Sequence, residues 1–559
     1  MFLRSRYPLA ILAGLLLAFS FPKFGIAGFA WIAPGFILGT ALGKRGGESF
    51  RIGYVAGLAH YLTSLSWLLN IPVRGYPILG WIALSAFLAL LPATWVWLSL
   101  KVSGFEFLVS SFETAHPAQL KTQNSKLKTH LPQSLSQRII WSFVCAAIWV
   151  ALEMFVARIF GGFPWNLLGD SQFQIIPLIQ IASFTGVYGV SFLVAWTSVS
   201  LLCAVAAILA KPTLRSAWIA EIIFPFGAIA LAFAFGLHAL SETPAPSREL
   251  NVALIQPSIP QTMIWNPEND FARFENLIQL SNRALTNHVD LVIWPEAAVP
   301  GFARWDENVH SAIVRFVREH HIWLILGSDD LGPLPHPTAK EKYEYYNASF
   351  LVSPEGEFVS RYRKRSLVMF GEYIPFEHAL PFIKWFTPVT GSYTPGDRAV
   401  PFEMNFPESF GRVVTSTLIC FEDNFPQLVR EYVHDDTDFL VNLTNNGWFG
   451  EGAAQWQHGA NAIFRAVENG VPLVRCTNNG LTCWADRHGR LREIFRDENK
   501  SIYGAGFMIV KIPLLNPGEK RALTFYNQHG DWLGWSCVAL SGLALIFSWR
   551  NGKRRNRRA

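Results

Sequence analysis

The sequence predicts a two-part molecule: a multipass α-helical membrane domain of about eight spans, joined to one α/β domain that sits before the last of them. Three observations carry this. The chain is too apolar for an ordinary soluble protein, since 51% of its 559 residues are hydrophobic and only 16% charged, with 21 Trp and 44 Phe. Its apolar residues gather into runs read as long enough to cross a hydrocarbon layer, each crossing needing roughly 20 residues. From about 251 to 513 the pattern changes to alternating strand and helix signals.

The runs lie near 8–21, 25–43, 53–71, 77–100, 139–160, 184–210, 216–240 and 532–549. They divide the chain into a membrane domain at 1–240, a linker at 241–249, an α/β domain at 250–515, a second linker at 516–531, a last span at 532–549 and a basic tail at 550–559. The first run has a basic start, but further spans follow and no small-residue cleavage pattern is evident, so it reads as a retained helix. The polar stretch 113–138 lacks periodicity and reads as a flexible cytoplasmic loop, and Ser241-Glu-Thr-Pro-Ala-Pro-Ser247 reads as a hinge.

Charge sets the expected orientation. Arg4, Arg6, Lys44, Arg45, Arg51, Lys101, Lys121, Lys126, Lys128, Arg138, Lys211 and Arg215 fall on one side, with Arg550, Lys553, Arg554, Arg555, Arg557 and Arg558 in the tail. The other side offers little beyond Lys23, Arg74 and Arg158. By the positive-inside rule both termini are cytoplasmic and the α/β domain faces outward. The net charge of +6 is then mostly topology, and the Arg-rich tail is not read as a nucleic-acid site.

Within the α/β region, buried-strand runs appear at Val252–Gln256, Leu291–Trp294, Trp323–Gly327, Ala348–Val352, Val413–Ile419, Phe439–Leu443 and Leu473–Cys476. Helical patterns lie at Asp270–Leu285, Val309–His320 and Gln455–Asn469. Three segments in this region bear chemistry: Glu296 in Leu291-Val-Ile-Trp-Pro-Glu-Ala, Lys364 in Tyr362-Arg-Lys-Arg-Ser-Leu-Val-Met-Phe-Gly-Glu372, and Cys420 in Val413-Val-Thr-Ser-Thr-Leu-Ile-Cys-Phe-Glu422. Together they read as a covalent acyl-transfer site. A thiol is largely neutral at its free pKa, so it needs a base for its proton and a cation or donor for the developing oxyanion. Singly, each residue has an ordinary reading: Glu296 as a strand-end surface carboxylate, Lys364 as part of a solvated strand with Arg361, Arg363 and Arg365, and Cys420 as an inert buried thiol.

The order Glu, Lys, Cys resembles the nitrilase (carbon-nitrogen hydrolase) superfamily. Trp294-Pro-Glu-Ala-Ala, Leu367-Val-Met-Phe-Gly-Glu372, Cys420-Phe-Glu422, Asn445-Asn-Gly-Trp-Phe449 and Arg475-Cys-Thr-Asn-Asn-Gly480 are similar to the motif set of the bacterial apolipoprotein N-acyltransferases. That resemblance implies an α-β-β-α sandwich with Glu296 as base, Lys364 as oxyanion stabiliser and Cys420 as nucleophile. It also implies supporting roles for Glu372, which would position Lys364 or assist proton transfer, and for Glu422, on the same face as Cys420 if the strand stays extended. Trp265 and Asn347 match family positions near the site; a surface aromatic and an ordinary turn or strand Asn are the alternatives. A strand-end salt bridge is the alternative for Glu372. Two positions depart from the pattern: Phe421 stands where the family has Tyr, and Met369 where it has Pro. The first removes a hydroxyl and keeps the ring, and the second loosens the expected loop.

The implied reaction takes a fatty acyl chain from a membrane phospholipid, typically the sn-1 chain of phosphatidylethanolamine. The chain passes through a Cys420 thioester to the α-amino group of a diacylglyceryl-modified apolipoprotein cysteine, in ping-pong fashion and with no cofactor or metal. The setting would be the bacterial inner membrane, with the site on its outer face. A membrane-tethered amidase and a non-catalytic scaffold remain the competing classes. Cys145, Cys203 and Cys537 read as packing residues in spans, a disulfide between Cys476 and Cys483 is chemically possible, and His458 and His488 look structural. Phe382-Ile-Lys-Trp-Phe386 and Trp448-Phe449 read either as membrane-dipping arms or lids, with Gly447 and Gly450 as hinges, or as core packing. Glu153 and Arg158 read as intramembrane functional charges or as an interfacial ion pair.

Overall fold

The computed structural model describes residues 6–44, 46–73, 75–102, 134–210, 218–241, 248–334, 342–377, 379, 382, 385, 391–407 and 410–556. Arg4, Arg45, Arg74, Lys121, Lys126, Lys128, Lys211, Arg215, Arg557 and Arg558 of the charge pattern lie outside these residues, as does most of the expected loop and hinge. The chain forms two compact units, one of residues 1–66, 80–238 and 531–559, the other of 67–79 and 239–530.

In the first unit, among the described residues, five helices are long and apolar enough to cross a membrane: Tyr76–Val102, Leu135–Val156, Val187–Leu209, Ile219–Ser241 and Trp532–Asn551. The other expected spans fall on shorter or more polar helices. Tyr7–Phe19 is apolar but only 13 residues long, and Ala27–Ala41 is broken at Ile32, ahead of Pro34. The expected span 53–71 is not one helix. Gly47–Ser64 carries Glu48, Arg51 and a buried His60, and the chain then turns into a short 3-10 segment, Ser66–Asn70. Residues 67–79 belong instead to the α/β unit, where Trp67 Nε1 donates to Gln457 Oε1 at 3.0 Å and Asn70 Nδ2 to the Phe449 carbonyl at 3.1 Å.

The expected loop over 113–138 ends earlier than its polarity suggests. Ser134 Oγ accepts from Gln137 N and Gln137 Oε1 from Ser134 N, a capping box that starts the helix at Leu135. Helices in this unit approach through small residues: a Cβ added at Gly14 would lie 2.1 Å from the Ala56 carbonyl oxygen. Cys145, Cys203 and Cys537 are buried packing residues, as expected. Glu153 and Arg158 do not pair with each other. Glu153 accepts from Trp149 Nε1 and Leu168 N, whereas Arg158 pairs with Asp531.

Among the described residues, the second unit contains twelve strands: β1 (Glu249–Gln256), β2 (Leu291–Ile293), β3 (Trp323–Pro333), β4 (Tyr343–Val352), β5 (Phe358–Arg363), β6 (Pro401–Asn405), β7 (Arg412–Ile419), β8 (Phe439–Thr444), β9 (Leu473–Thr477), β10 (Cys483–Ala485), β11 (Leu491–Ile494) and β12 (Gly506–Pro513). They build two six-stranded sheets, β12-β1-β2-β3-β4-β5 and β11-β10-β9-β8-β7-β6. Each sheet has a parallel centre, β1-β2-β3 in one and β7-β8-β9 in the other, with antiparallel strands outside. The parallel centres are apolar nearly throughout because both faces are covered. On the first sheet, Leu277 and Leu280 of helix Asp270–Ala284 and Ile313, Phe316 and Val317 of helix Glu307–His320 pack on Val292, Leu324 and Leu326. Asp306 starts the latter helix by accepting from Asn308 N and Val309 N. Helix Ala453–Asn469 packs on the second sheet through β9. The sheets meet where Cys476 Sγ of β9 lies 3.3 Å from each of the Ile255 and Ile293 carbonyl oxygens, with its one hydrogen to share between them.

Candidate active site

The site forms where strands end. β7 is buried from Val413 to Ile419, and at Cys420 the backbone turns left-handed, with φ of 52°. That conformation costs a non-glycine residue on the order of 1–3 kcal/mol and persists only where the surroundings hold it. Two donors hold it here: Asn442 Nδ2 reaches the Cys420 carbonyl at 3.0 Å and His458 Nε2 at 3.2 Å. A similar turn follows β2. Pro295 leads into Glu296, and Ala297 has φ of 53°, so the apolar strand stops and its carboxylate remains 7% exposed.

Asn347 of β4 joins the two acidic residues. Its Nδ2 donates to Glu296 Oε1 at 2.8 Å and to Glu372 Oε1 at 2.9 Å. Lys364, just past β5 and 1% exposed, places Nζ 2.8 Å from Glu372 Oε1 and 3.4 Å from Glu296 Oε1. Glu296 Oε2 accepts from Asn445 N at 2.8 Å, and Glu372 Oε2 from Val368 N at 2.8 Å. Burial alone would lower the Lys364 ammonium. The Glu372 and Glu296 carboxylates outweigh that and hold it well above the usual lysine range. The ammonium is therefore fixed, charged and shielded from water. Burial and the Glu296 charge push the Cys420 thiol up to about 12, against the pull of Lys364, so the resting sulfur is a thiol.

Of the residues singled out from sequence, Glu296, Lys364, Cys420, Glu372 and Asn347 come together. Glu422 behaves differently. The strand does not stay extended past Cys420 but coils into a 3-10 turn, Cys420–Asn424, so the expectation of a shared face fails. Glu422 is fully buried, and its carboxylate accepts from Tyr362 Oη, Arg365 N, Ser366 N and Ile419 N, tying the end of β7 to the end of β5. Phe421 is buried edge-on against Phe425, a contact that needs a ring and no hydroxyl. In the loop around Met369, Phe370 N donates to the Tyr373 carbonyl at 2.9 Å and Gly371 N to the Val368 carbonyl at 3.1 Å.

Trp265 is 44% exposed and meets Trp448 edge to face at 5.0 Å, a rim position. Phe449 packs on Trp67 at 4.6 Å. In the second candidate arm, Ile383, Lys384 and Phe386 lie outside the described residues, while Phe382 and Trp385 are exposed. Cys476 and Cys483 are free and buried, so the disulfide that was chemically possible does not form.

Two features escaped the sequence reading. Asp329 of β3 pairs across to Asn347 and accepts from Tyr393 Oη at 3.1 Å. Burial, with Glu372 and Glu296 adding to it, pushes this carboxyl up to about 6. The signal was a pair of Asp residues closing the apolar run of β3. Asn442, a lone polar residue inside apolar β8, was the second signal.

Comparison with known proteins fits this geometry. Residues 251–509 match the carbon-nitrogen hydrolase family model, which defines the class of the α/β unit, and residues 13–200 match the apolipoprotein N-acyltransferase N-terminal domain. The apolipoprotein N-acyltransferase of Geobacter metallireducens is 33% identical over 550 residues, covering 98% of this chain and 96% of its own. That of Vibrio vulnificus is 28% identical over 100% of this chain and 99% of its own, and that of Chlorobaculum tepidum 31% identical over 68% and 72%. The chain belongs to the apolipoprotein N-acyltransferase family.

Proposed function

We propose that the protein is an enzyme that transfers a fatty acyl chain from a membrane phospholipid to the α-amino group of a diacylglyceryl-modified apolipoprotein cysteine, the last step of lipoprotein maturation. The observation that carries this reading is the placement of a buried, charge-fixed Lys364 between two carboxylates, in the electrostatic reach of a strand-end thiol. In the first half-reaction Glu296 takes the Cys420 proton as Sγ bonds to the ester carbonyl carbon. Lys364, with a backbone amide near Cys420, holds the oxyanion. The ester C–O bond then breaks, Glu296 returns the proton to the leaving oxygen, and a lysophospholipid departs from the thioester. In the second half-reaction the acceptor amine attacks the thioester carbonyl, Glu296 accepts a proton from the nitrogen, and the C–S bond breaks as that proton returns to sulfur. Glu372 and Asn347 position Lys364 and Glu296. No step calls for a cofactor.

The reading extends to place. An acyl donor and a lipidated acceptor are both drawn from a bilayer, which fits a chain with membrane-crossing helices. We assign it to a bacterial inner membrane, with both termini in the cytoplasm and the α/β unit on the outer face, a reading the positive-inside rule supports through the cation pattern. Phosphatidylethanolamine is the donor we assign. The test is mass spectrometry of a lipoprotein N-terminus after incubation with the full-length protein and phosphatidylethanolamine. A gain of one acyl chain on the α-amino group, with release of lysophospholipid, is expected. Release of free fatty acid with an unmodified N-terminus would identify a hydrolase instead.

A further inference from the structure

Beneath the Cys420 carbonyl lies a polar cluster that the proposed chemistry does not use. His458 of helix Ala453–Asn469, Asp423 of the 3-10 turn and Arg475 of β9 are each at most 1% exposed. Arg475 Nη1 lies 2.5 Å from Asp423 Oδ2 and Arg475 Nη2 2.7 Å from His458 Nδ1. His458 Nε2 lies 2.7 Å from Asp423 Oδ1 and 3.2 Å from the Cys420 carbonyl oxygen.

The donor inventory fixes the tautomer. A guanidinium only donates, so Nδ1 of His458 accepts and the ring hydrogen sits on Nε2. Asn446 also faces Nδ1, at 3.2 Å; its oxygen and nitrogen exchange by rotation, so it meets this acceptor with its NH2. Burial, and then the Arg475 charge, hold His458 below the usual histidine range against the opposing Asp423, which keeps the ring neutral and leaves a single N–H. That hydrogen is shared between Asp423 and the Cys420 carbonyl, and Asn442 supplies the carbonyl's second donor.

The consequence follows from peptide geometry. The six atoms of the Cys420–Phe421 peptide lie in one plane, and in the trans form the carbonyl and the following N–H point in opposite directions. Whatever holds the carbonyl therefore aims the Phe421 N–H. We propose that His458, with its tautomer set by Arg475 and Asp423, is a positioning residue that acts with Asn442 to lock this peptide plane, so that the Phe421 N–H is turned away from the cluster and towards an oxyanion formed at Cys420. The proposal rests on the reading of Cys420 as nucleophile. It assigns the left-handed backbone at Cys420 a purpose: one turn presents both the sulfur and the adjacent amide.

The test separates positioning of an oxyanion donor from general support. Acyl transfer to Cys420 passes through an oxyanion, whereas alkylation of the same sulfur by iodoacetamide does not. Full-length His458→Asn, in detergent with phosphatidylethanolamine, is expected to form the hydroxylamine-labile adduct about 100-fold more slowly, the effect of losing one oxyanion donor. Its alkylation rate at Cys420 should change by less than about fivefold. His458→Gln, whose amide nitrogen falls near the position of Nε2, should recover most of the acylation rate. Equal losses in acylation and alkylation, or unchanged acylation, would overturn the proposal. If His458→Asn does not accumulate folded, Asn442→Leu carries the same split and the same two contrary results. Failure of the nucleophile reading is seen separately, as an acyl adduct that survives in Cys420→Ala.

Discussion

At the scale of single residues, the decisive feature is an ammonium whose position is set by two carboxylates at once. Lys364 is nearly fully buried and meets Glu372 and Glu296 through one nitrogen. A planar guanidinium carries the same charge but reaches further and needs a different set of acceptors. Lys364→Arg is therefore expected to insert and fold with an apparent melting temperature near that of the wild type, yet to lose acyl transfer by about 100-fold or more. Near-normal turnover would assign Lys364 to charge balance alone. Asp329 supplies a pH test. Burial raises its carboxyl from 3.8 to about 6, so the folded state binds a proton more tightly than the unfolded chain. The stability this gives is complete below about pH 4 and is lost as pH rises through about 6. Asp329→Asn has no such loss, and between pH 4 and 7 its stability should rise relative to the wild type by on the order of 3 kcal/mol. Parallel stability profiles for the two proteins would show that Asp329 is not held protonated.

At the scale of elements, the site depends on strand ends being tied together. Glu422 accepts from a hydroxyl and a backbone amide at the end of β5, from the next amide along, and from one amide in β7. Glu422→Ala strands these buried donors, and it should destabilise the α/β unit by on the order of 3 kcal/mol while activity falls with it. Lys364→Arg should show the opposite pattern, with activity lost and stability kept. An active, fully stable Glu422→Ala protein would contradict the tie. The parallel central strands were legible because, buried on both faces, each is rich in apolar and β-branched residues with few charges. β5, β6 and β11 were not, since they are short and half exposed and carry charges such as Arg361, Glu403 and Glu493. Glu296 and Cys420 could be singled out because each closes or follows a legible strand, whereas Lys364, after β5, was carried by its place in the order Glu, Lys, Cys and by the motif that runs to Glu372. The coil after Cys420 could not, because nothing in Cys420-Phe-Glu422 announces a left-handed residue. Asn442 and Asp329 were hidden for a related reason: their importance lies in cross-strand partners that linear spacing does not display.

At the scale of the whole molecule, helices long and apolar enough to cross a membrane and an α/β unit share one chain. Composition located the apolar runs, and among the described residues five of the eight fall on helices long and apolar enough to cross; of the early ones, Ala27–Ala41 is broken ahead of Pro34 and Gly47–Ser64 carries polar residues. Orientation remains a matter of charge. Reporter fusions after Arg215 should give a cytoplasmic signal and fusions near Ser247 an outer one; the same cytoplasmic signal from both would refute an outward-facing site. The central claim is that Cys420 carries the acyl group, and the most direct measurement of it is the covalent adduct itself. Full-length protein incubated with phosphatidylethanolamine and no acceptor should accumulate one acyl chain, released by neutral hydroxylamine and mapped by peptide mass to Cys420. Cys476→Ala and Cys483→Ala should keep that adduct, and Glu296→Gln should fold yet form little of it. An adduct that persists in Cys420→Ala, or that maps to another cysteine, would contradict the account.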